Sequence, residues 1–159
     1  MSSLFLSDIE VDRLLMLPKR VTNPGARMKM QRGSELTNYE VTGEGHEFRL
    51  YVRQNTRISN GFSCGLLVVA PSGDLLTLVR YNGSDHQHTN PLESSAPMEM
   101  SCHIHRATER YMAAGKKAEH YAVATDGYSD LAGALQMLLR DCKIEGLKGP
   151  EISPQRDLL

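Results

Sequence analysis

Four consecutive segments with strand-like patterns, joined by short turns, most constrain the fold of this chain. They span residues 35–42, 46–54, 62–70 and 75–82, and their links contain Gly, Asn or Asp. Links this short favour antiparallel pairing of consecutive strands, because a parallel pair needs a long crossover connection. The sequence therefore predicts an antiparallel β-meander.

Side chains in these segments divide between two faces of the predicted sheet. In the second segment apolar residues alternate with polar or aromatic ones. One face carries Phe48, Leu50 and Val52, and the other carries Glu47, Arg49, Tyr51 and Arg53. The third segment is apolar on both faces, which is typical of a central strand. In the fourth, alternation predicts that Leu76 and Leu78 share a face with Arg80, and that Val79 shares the other with Tyr81.

Patterns typical of helices occur near both ends of the chain. Ser7 and Glu10 have the spacing of a capping box, which predicts a helix over 8–17 that ends at Pro18. A second helix is predicted to begin near Ser129, with one apolar stripe formed by Leu131, Leu135, Leu138, Leu139 and Cys142. A fifth strand is predicted over 98–106.

Together these elements predict an α+β fold. We expect an antiparallel meander of four to six strands, packed by the C-terminal helix and preceded by a short N-terminal helix. One domain is expected over 1–148, with a flexible tail over 149–159. The predicted core consists of Phe48, Leu50, Val52, Leu66, Val68, Leu76, Leu78, Ile104, Leu131, Leu135, Leu138 and Leu139.

Composition narrows the class of protein. The 159 residues are 40% hydrophobic and 23% charged, with a formal net charge of -1, so the chain is neither wholly disordered nor basic overall. The N-terminus lacks a signal-peptide pattern, and no stretch approaches the about 18 apolar residues of a membrane span. We expect a cytoplasmic protein with no membrane partner, in which Cys64, Cys102 and Cys142 are reduced and mostly buried.

Histidine placement is the one unusual feature of the sequence. Four of the six histidines form two pairs with a single residue between the partners, His86/His88 and His103/His105. Residues i and i+2 of a strand point to the same face, so we expect His103 and His105 to lie side by side, away from the core. The first pair lies in a polar loop, 83–97, that is long enough to fold back over that face.

Three kinds of role remain open for the two pairs. All four imidazoles are candidate ligands for a divalent transition metal. Alternatively, they act as catalytic acids and bases that cleave a phosphodiester, with Arg80, Tyr81 and Arg106 as candidate substrate-binding residues. In the third interpretation they only make structural hydrogen bonds, which is also how we interpret the isolated His46 and His120.

Arg49, Tyr51 and Arg53 share one predicted strand face, with Arg57 beyond it. Cations around an aromatic ring could bind a phosphate backbone and stack a base. The simpler interpretation is the solvated outer face of an antiparallel sheet.

Residues 78–82 (LVRYN), 85–90 (DHQHTN) and 102–106 (CHIHR) carry a resemblance to known proteins. They are similar to small bacterial proteins of uncharacterised families with paired HxH motifs. The TumE-type toxins of toxin–antitoxin systems have a comparable layout. Residues 119–122 and 139–144 also resemble a larger uncharacterised group with such histidines. The resemblance, over residues 46–145, implies a defence or mobile-element context and RNA as a target.

Two functional hypotheses follow from this sequence. The first is a toxin-like, defence- or mobile-element-associated enzyme that cleaves RNA or another phosphodiester with its histidine cluster. The second is a non-enzymatic binding module, an inhibitor or adaptor, that contacts a cognate protein through the long loop and the exposed sheet face. A metal-binding sensor is a third, weaker hypothesis. Imidazoles of both pairs within about 4–6 Å of each other would favour a catalytic or metal-binding site over a protein-binding module. The oligomeric state is not determined by the sequence.

Overall fold

A computed structural model describes residues 4–93, 96–97 and 100–147. Within these residues the elements follow in chain order: α1 (Asp8–Met16), β1 (Lys19–Val21), β2 (Lys29–Gln31), β3 (Ser34–Gly43), β4 (His46–Asn55), β5 (Phe62–Val69), β6 (Leu75–Asn82), β7 (His103–Arg106), α2 (Glu109–Ala113), β8 (Ala122–Ala124), α3 (Leu131–Asp141) and β9 (Ile144–Glu145).

The strands form one sheet of nine. Their order is β8-β7-β6-β5-β4-β3-β1-β9, and β2 also pairs with β3. Strands β3 to β8 follow one another as an antiparallel meander, and the β1–β9 pair is parallel. The sheet has more strands than the four to six predicted, because β1, β2, β8 and β9 have only two or three residues each. Segments this short contain too little alternation to stand out in a sequence.

Predicted and observed elements agree closely in the middle of the chain. The strands expected over 35–42, 46–54, 62–70 and 75–82 are confirmed as β3 to β6. The fifth was predicted over 98–106, and its described part forms strand only at His103–Arg106. Residues 98–99 and the predicted tail 149–159 lie outside the described residues.

Each main helix begins at a defined N-cap. The Ser7 hydroxyl accepts a hydrogen bond from the Glu10 N–H while the Glu10 carboxylate accepts one from the Ser7 N–H, which confirms the capping box. At α3, the Asp130 side chain accepts from the Gly133 N–H. None of the helices in the described part of the chain is long and apolar enough to cross a membrane.

The hydrophobic core lies between α3 and one face of the sheet. Helix α3 contacts β4, β5 and β6. Eight of the predicted core residues are buried: Phe48, Leu50, Leu66, Val68, Leu76, Leu78, Leu135 and Leu138. The other four are partly buried against the same cluster: Val52, Ile104, Leu131 and Leu139.

A β-bulge in the β5–β6 pair corrects the predicted facing of β6. Thr77 pairs with Leu67 but Val79 pairs with Leu66, so Leu78 is an extra residue between them. One extra residue reverses the alternation of everything after it. Leu76 therefore faces the core while Arg80 faces away from it, contrary to the prediction that the two share a face.

Lys19 lies at the boundary of the core on β1, next to the edge strand β9. Its side chain is 3% exposed overall, and its ammonium donates to the carbonyls of Leu15, Leu17 and Cys142 at 2.8–2.9 Å. Burial lowers the pKa of Lys19 to about 8. These three bonds join the C-terminal ends of α1 and α3, where free carbonyls favour a cation.

Truncating the helix side of the core should destabilise the protein. Leu135 is 3% exposed, so Leu135→Ala is expected to lower the free energy of unfolding by about 2–5 kcal/mol, measured by urea denaturation. The neighbouring exposed residue supplies a control, since Gln136→Ala should change stability little. Equal stability of the two variants would show that α3 contributes no core packing.

Thiol labelling should distinguish the three cysteines. All are free thiols; Cys64 and Cys142 are buried and Cys102 is partly exposed. Burial raises the pKa of all three, most strongly for Cys64, which further slows reaction because the thiolate is the nucleophile. We expect Cys102 to react first in native protein and the other two only after denaturation. Simultaneous labelling of all three without denaturant would contradict the burial.

Candidate metal centre

His103 and His105 lie together on β7, on the sheet face opposite α3. Cross-strand pairing sets His103 beside Asn82 and His105 beside Arg80 of β6. Both imidazoles were expected to face away from the core, and they do. They are nevertheless only 1% and 3% exposed, because other parts of the chain close over that face.

The loop that follows β6 brings the first histidine pair onto the second. The His88 ring lies 4.8 Å from that of His105 and 5.5 Å from that of His103, between centroids. The His86 ring lies 5.1 Å from that of His103. All four histidines singled out by their spacing therefore meet in one cluster.

Backbone carbonyls fix the tautomers of the two buried imidazoles. Nδ1 of His103 lies 3.0 Å from the Ser101 carbonyl, and Nδ1 of His105 lies 2.9 Å from the Glu119 carbonyl. A carbonyl can only accept, so both Nδ1 atoms carry the proton and donate. Each Nε2 therefore presents a lone pair. Both Nε2 atoms are buried and have no hydrogen-bond partner among the described residues.

Asn90 fixes the third imidazole. Its Oδ1 accepts from the Ala122 N–H at 2.9 Å, and its Nδ2 donates to the Ala122 carbonyl at 2.7 Å, so the amide orientation is set by backbone. Nε2 of His88 lies 2.8 Å from the same Oδ1 and must donate to it. The lone pair of His88 is therefore on Nδ1.

Three imidazoles thus converge, and the Nε2 lone pairs of His103 and His105 have no partner among the described residues. His88, His103 and His105 each offer one ring nitrogen, and the three atoms lie within 4.8 Å of one another. Zinc holds imidazole nitrogens at about 2.0–2.1 Å, which places tetrahedral neighbours about 3.4 Å apart. The rings would have to draw together around an ion. Hydrogen bonds from the distal ring nitrogens to carbonyl or amide oxygens are the usual support of metal-binding histidines.

Burial keeps these imidazoles neutral. Desolvation is the main cause that lowers the pKa of His88, His103 and His105. For His105 the pKa falls to about 3, and the nearby Arg80 cation is the second cause. Neutral imidazole is the form that binds metals.

Arg80 lies next to the cluster on the same face. It pairs with Glu119 at 3.2 Å, and that carboxylate is buried. Nε of Arg80 has no hydrogen-bond partner among the described residues. Of the three predicted substrate-binding residues, Arg80 is the one that the structure places at the histidines.

Tyr81 and Arg106 face the other side of the sheet. The Tyr81 hydroxyl donates to Asp141 of α3 at 2.7 Å, and burial raises the pKa of Tyr81. Arg106 forms an ion pair with Asp12 of α1. Strand alternation separates them from the imidazoles, because Tyr81 follows Arg80 and Arg106 follows His105. The structure therefore does not bring either residue into the site.

His120 and Asn90 are site residues that sequence reasoning missed. The His120 ring lies 5.3 Å from that of His88 and stacks on Tyr111 at 5.6 Å and 7°. Its Nε2 lies 3.2 Å from the Thr89 carbonyl. His120 is isolated in the sequence, within a region without clear periodicity, so no pattern indicated that it would lie behind the cluster.

His86 differs from the other three members of the cluster. Its side chain is 50% exposed, and its Nδ1 lies 2.8 Å from Asp85 Oδ1. It is not among the residues whose ring nitrogens converge. The structure thus places His86 at the rim of the site, where it faces a cleft.

Comparisons with protein-family models, curated proteins and solved structures found no match. The resemblance to TumE-type toxins stays a prediction. The geometry of the residues defines the class of site, a candidate metal centre: two buried imidazoles and one partly exposed imidazole bring a ring nitrogen each to one face of an antiparallel sheet.

Acidification should destabilise the metal-free protein. Between about pH 6.5 and 3 the unfolded chain protonates His105 while the folded chain does not, since its folded pKa is about 3. The unfolded state then binds more protons, so the free energy of unfolding falls as pH falls through this window. The pKa values of His88 and His103 shift in the same direction.

Urea unfolding in EDTA at about pH 7.5 and 5.5 measures this effect. His105→Gln should weaken the pH dependence, while His46→Gln, which removes an exposed histidine of β4, should retain that of the parent. A parent protein equally stable at both pH values would contradict the neutral, buried state of the imidazoles.

Proposed function

We propose that this protein is a metal-dependent enzyme that hydrolyses phosphodiester bonds, with RNA as the expected target. The observation that carries the proposal is the set of three lone pairs on His88, His103 and His105, each fixed by a hydrogen bond on the other ring nitrogen. Three imidazoles with an open fourth position are a common ligand set of catalytic zinc.

The protonation states of His103 and His105 favour metal binding by these two buried imidazoles over acid–base catalysis by them. A general acid or base works best with a pKa near the operating pH. The pKa of His105 is lowered to about 3, and that of His103 is also lowered. Near neutral pH neither can supply a proton, but both can donate a lone pair.

A divalent ion at this position would lower the pKa of a bound water and polarise a phosphoryl oxygen. His88, His103 and His105 would hold the ion. In the hydrolysis the water oxygen would bond to phosphorus as the bond to the leaving oxygen breaks, with one proton of the water passing to solvent and one proton passing from solvent to the leaving oxygen. Arg80 lies beside His105 in the β6–β7 pair and could neutralise charge on the phosphoryl oxygens.

The biological setting is part of the same proposal. A toxin-like role in bacterial defence or on a mobile element rests on the resemblance of the paired histidine segments. A cytoplasmic location is supported by three free cysteines, which are typical of reducing compartments.

Metal binding is the first test. Purified protein titrated with Co²⁺ or Zn²⁺ is expected to take up about one ion per chain. His105→Gln should abolish that uptake. Asn90→Ala, which removes the partner of His88, should weaken it by about 10–100-fold. His46→Gln serves as the matched control and should bind like the parent.

Cleavage of single-stranded RNA is then compared for the metal-loaded parent, the metal-stripped parent and His105→Gln purified in parallel. The proposal requires activity in the first sample alone. Thermal melting shows whether each variant is folded. A folded parent that binds no metal and cleaves nothing would overturn the proposal and favour the non-enzymatic binding module.

A further inference from the structure

A cleft opens beside the imidazoles, on the sheet face opposite α3. Its volume is about 580 Å³, which is within the usual range for sites that bind small molecules. Two cross-strand rows contribute to its lining, with Tyr51 and Arg80 from one and Arg53, Ser63 and Asn82 from the other. Beyond the cleft the first row continues to His105 and the second to His103. The cleft therefore adjoins two of the imidazoles.

Tyr51 forms an aromatic platform in this cleft. It pairs with Gly65, and a Cβ atom at Gly65 would lie 2.5 Å from its ring carbon Cε2. The ring can therefore lie across β5 only because position 65 has no side chain. A hydrogen bond with Ser63 helps to hold the phenol. The ring is partly exposed and lines the cleft.

Cations surround this platform. Arg49 and Arg53 flank Tyr51 on β4, and Arg80 stands beyond Gly65. Glu40 lies across from Arg49 on β3, yet neither Arg49 nor Arg53 has an ion pair within the described ranges. Three guanidinium groups and one carboxylate, that of Asp85, line the cleft.

Two buried polar atoms in the lining lack partners. Oδ1 of Asn82 and Nε of Arg80 make no hydrogen bond to any described residue, and Asn82 is only 7% exposed. Buried polar groups are normally satisfied, so an unpaired acceptor and donor in one cleft point to a ligand with both functions. Nucleobases offer donors, acceptors and a flat aromatic face.

We propose that this cleft binds one unpaired nucleotide of a single-stranded nucleic acid, with the base stacked on Tyr51 and the phosphate among Arg49, Arg53 and Arg80. The inference deepens the proposed function and rests on it for its link to catalysis. From Gly65, over which the Tyr51 ring lies, to His105 is two strand spacings, about 10 Å, so the bound base lies within one nucleotide's length of the imidazoles. A duplex is excluded because its bases are already stacked.

Nucleotide binding can be measured without metal. Fluorescence anisotropy of a labelled single-stranded oligoadenylate, in EDTA, is compared with that of the same strand in a duplex. We expect the single strand to bind more tightly, and AMP to compete better than ribose 5-phosphate. Equal binding of strand and duplex, or equal competition by the two small molecules, would overturn the inference.

Variants of the cleft then test whether the bound base stacks on Tyr51. Tyr51→Ala should weaken single-strand binding by about 5- to 150-fold, whereas Tyr51→Phe keeps the ring and should bind like the parent. Gly65→Ala, with Tyr51 intact, should also weaken binding by displacing the ring. Arg140→Ala removes an exposed cation of α3, on the opposite face of the sheet, and is the charge control. Unchanged affinity for the single strand in folded Tyr51→Ala and Gly65→Ala would contradict stacking of the base on Tyr51.

A parallel Co²⁺ titration separates this inference from the proposed function. Protein that binds the single strand but no metal would refute the metal enzyme and leave the nucleotide cleft standing. Protein that binds metal but no strand would refute the cleft alone.

Discussion

The alternation of side chains along β6 and β7 is the constraint on which the rest of the structure depends. Val79 and Tyr81 face the helices, while Arg80 and Asn82, each paired with an imidazole of β7, face the cleft. A shift of one residue in this register would exchange the two sets, putting imidazoles into the core and apolar side chains into the site. The core and the candidate metal centre are therefore specified by the same pairing, and Tyr128 strengthens it by donating to the carbonyls of both Asn82 and His103.

Burying two imidazoles with unpaired nitrogens costs stability, because a desolvated acceptor loses its hydrogen bonds to water. Hydrogen bonds at the other ring nitrogen offset part of that cost, because backbone carbonyls accept from Nδ1 of His103 and His105. A purely structural histidine has no reason to leave its second ring nitrogen unpaired next to another imidazole in the same state. Local departures from full hydrogen bonding are expected at functional sites, and this cluster is such a departure.

Much of the fold could be predicted from the sequence, and the reasons for the failures are physical. Period-two alternation located β3 to β6, and the spacing of the histidine pairs identified four members of the cluster. The facing of Arg80 was mispredicted because a bulge at Leu78 depends on pairing with β5, which no local pattern encodes. His120 and Asn90 could not be identified because they reach the site through tertiary contacts, with Asn90 docking on the backbone of Ala122.

The electrostatics of the cluster connect the metal proposal to an anionic substrate. Three neutral imidazoles leave the charge of a divalent ion uncompensated, in contrast to carboxylate or thiolate ligands. The nearest fixed charges, Arg80 and Glu119, pair with each other and offset one another. A bound ion would therefore retain most of its positive potential, and the guanidinium groups of Arg49 and Arg53 would extend that potential along the cleft. A phosphodiester would fit the site proposed here, because the ion would offset its charge at one end and the arginines would offset it along the backbone.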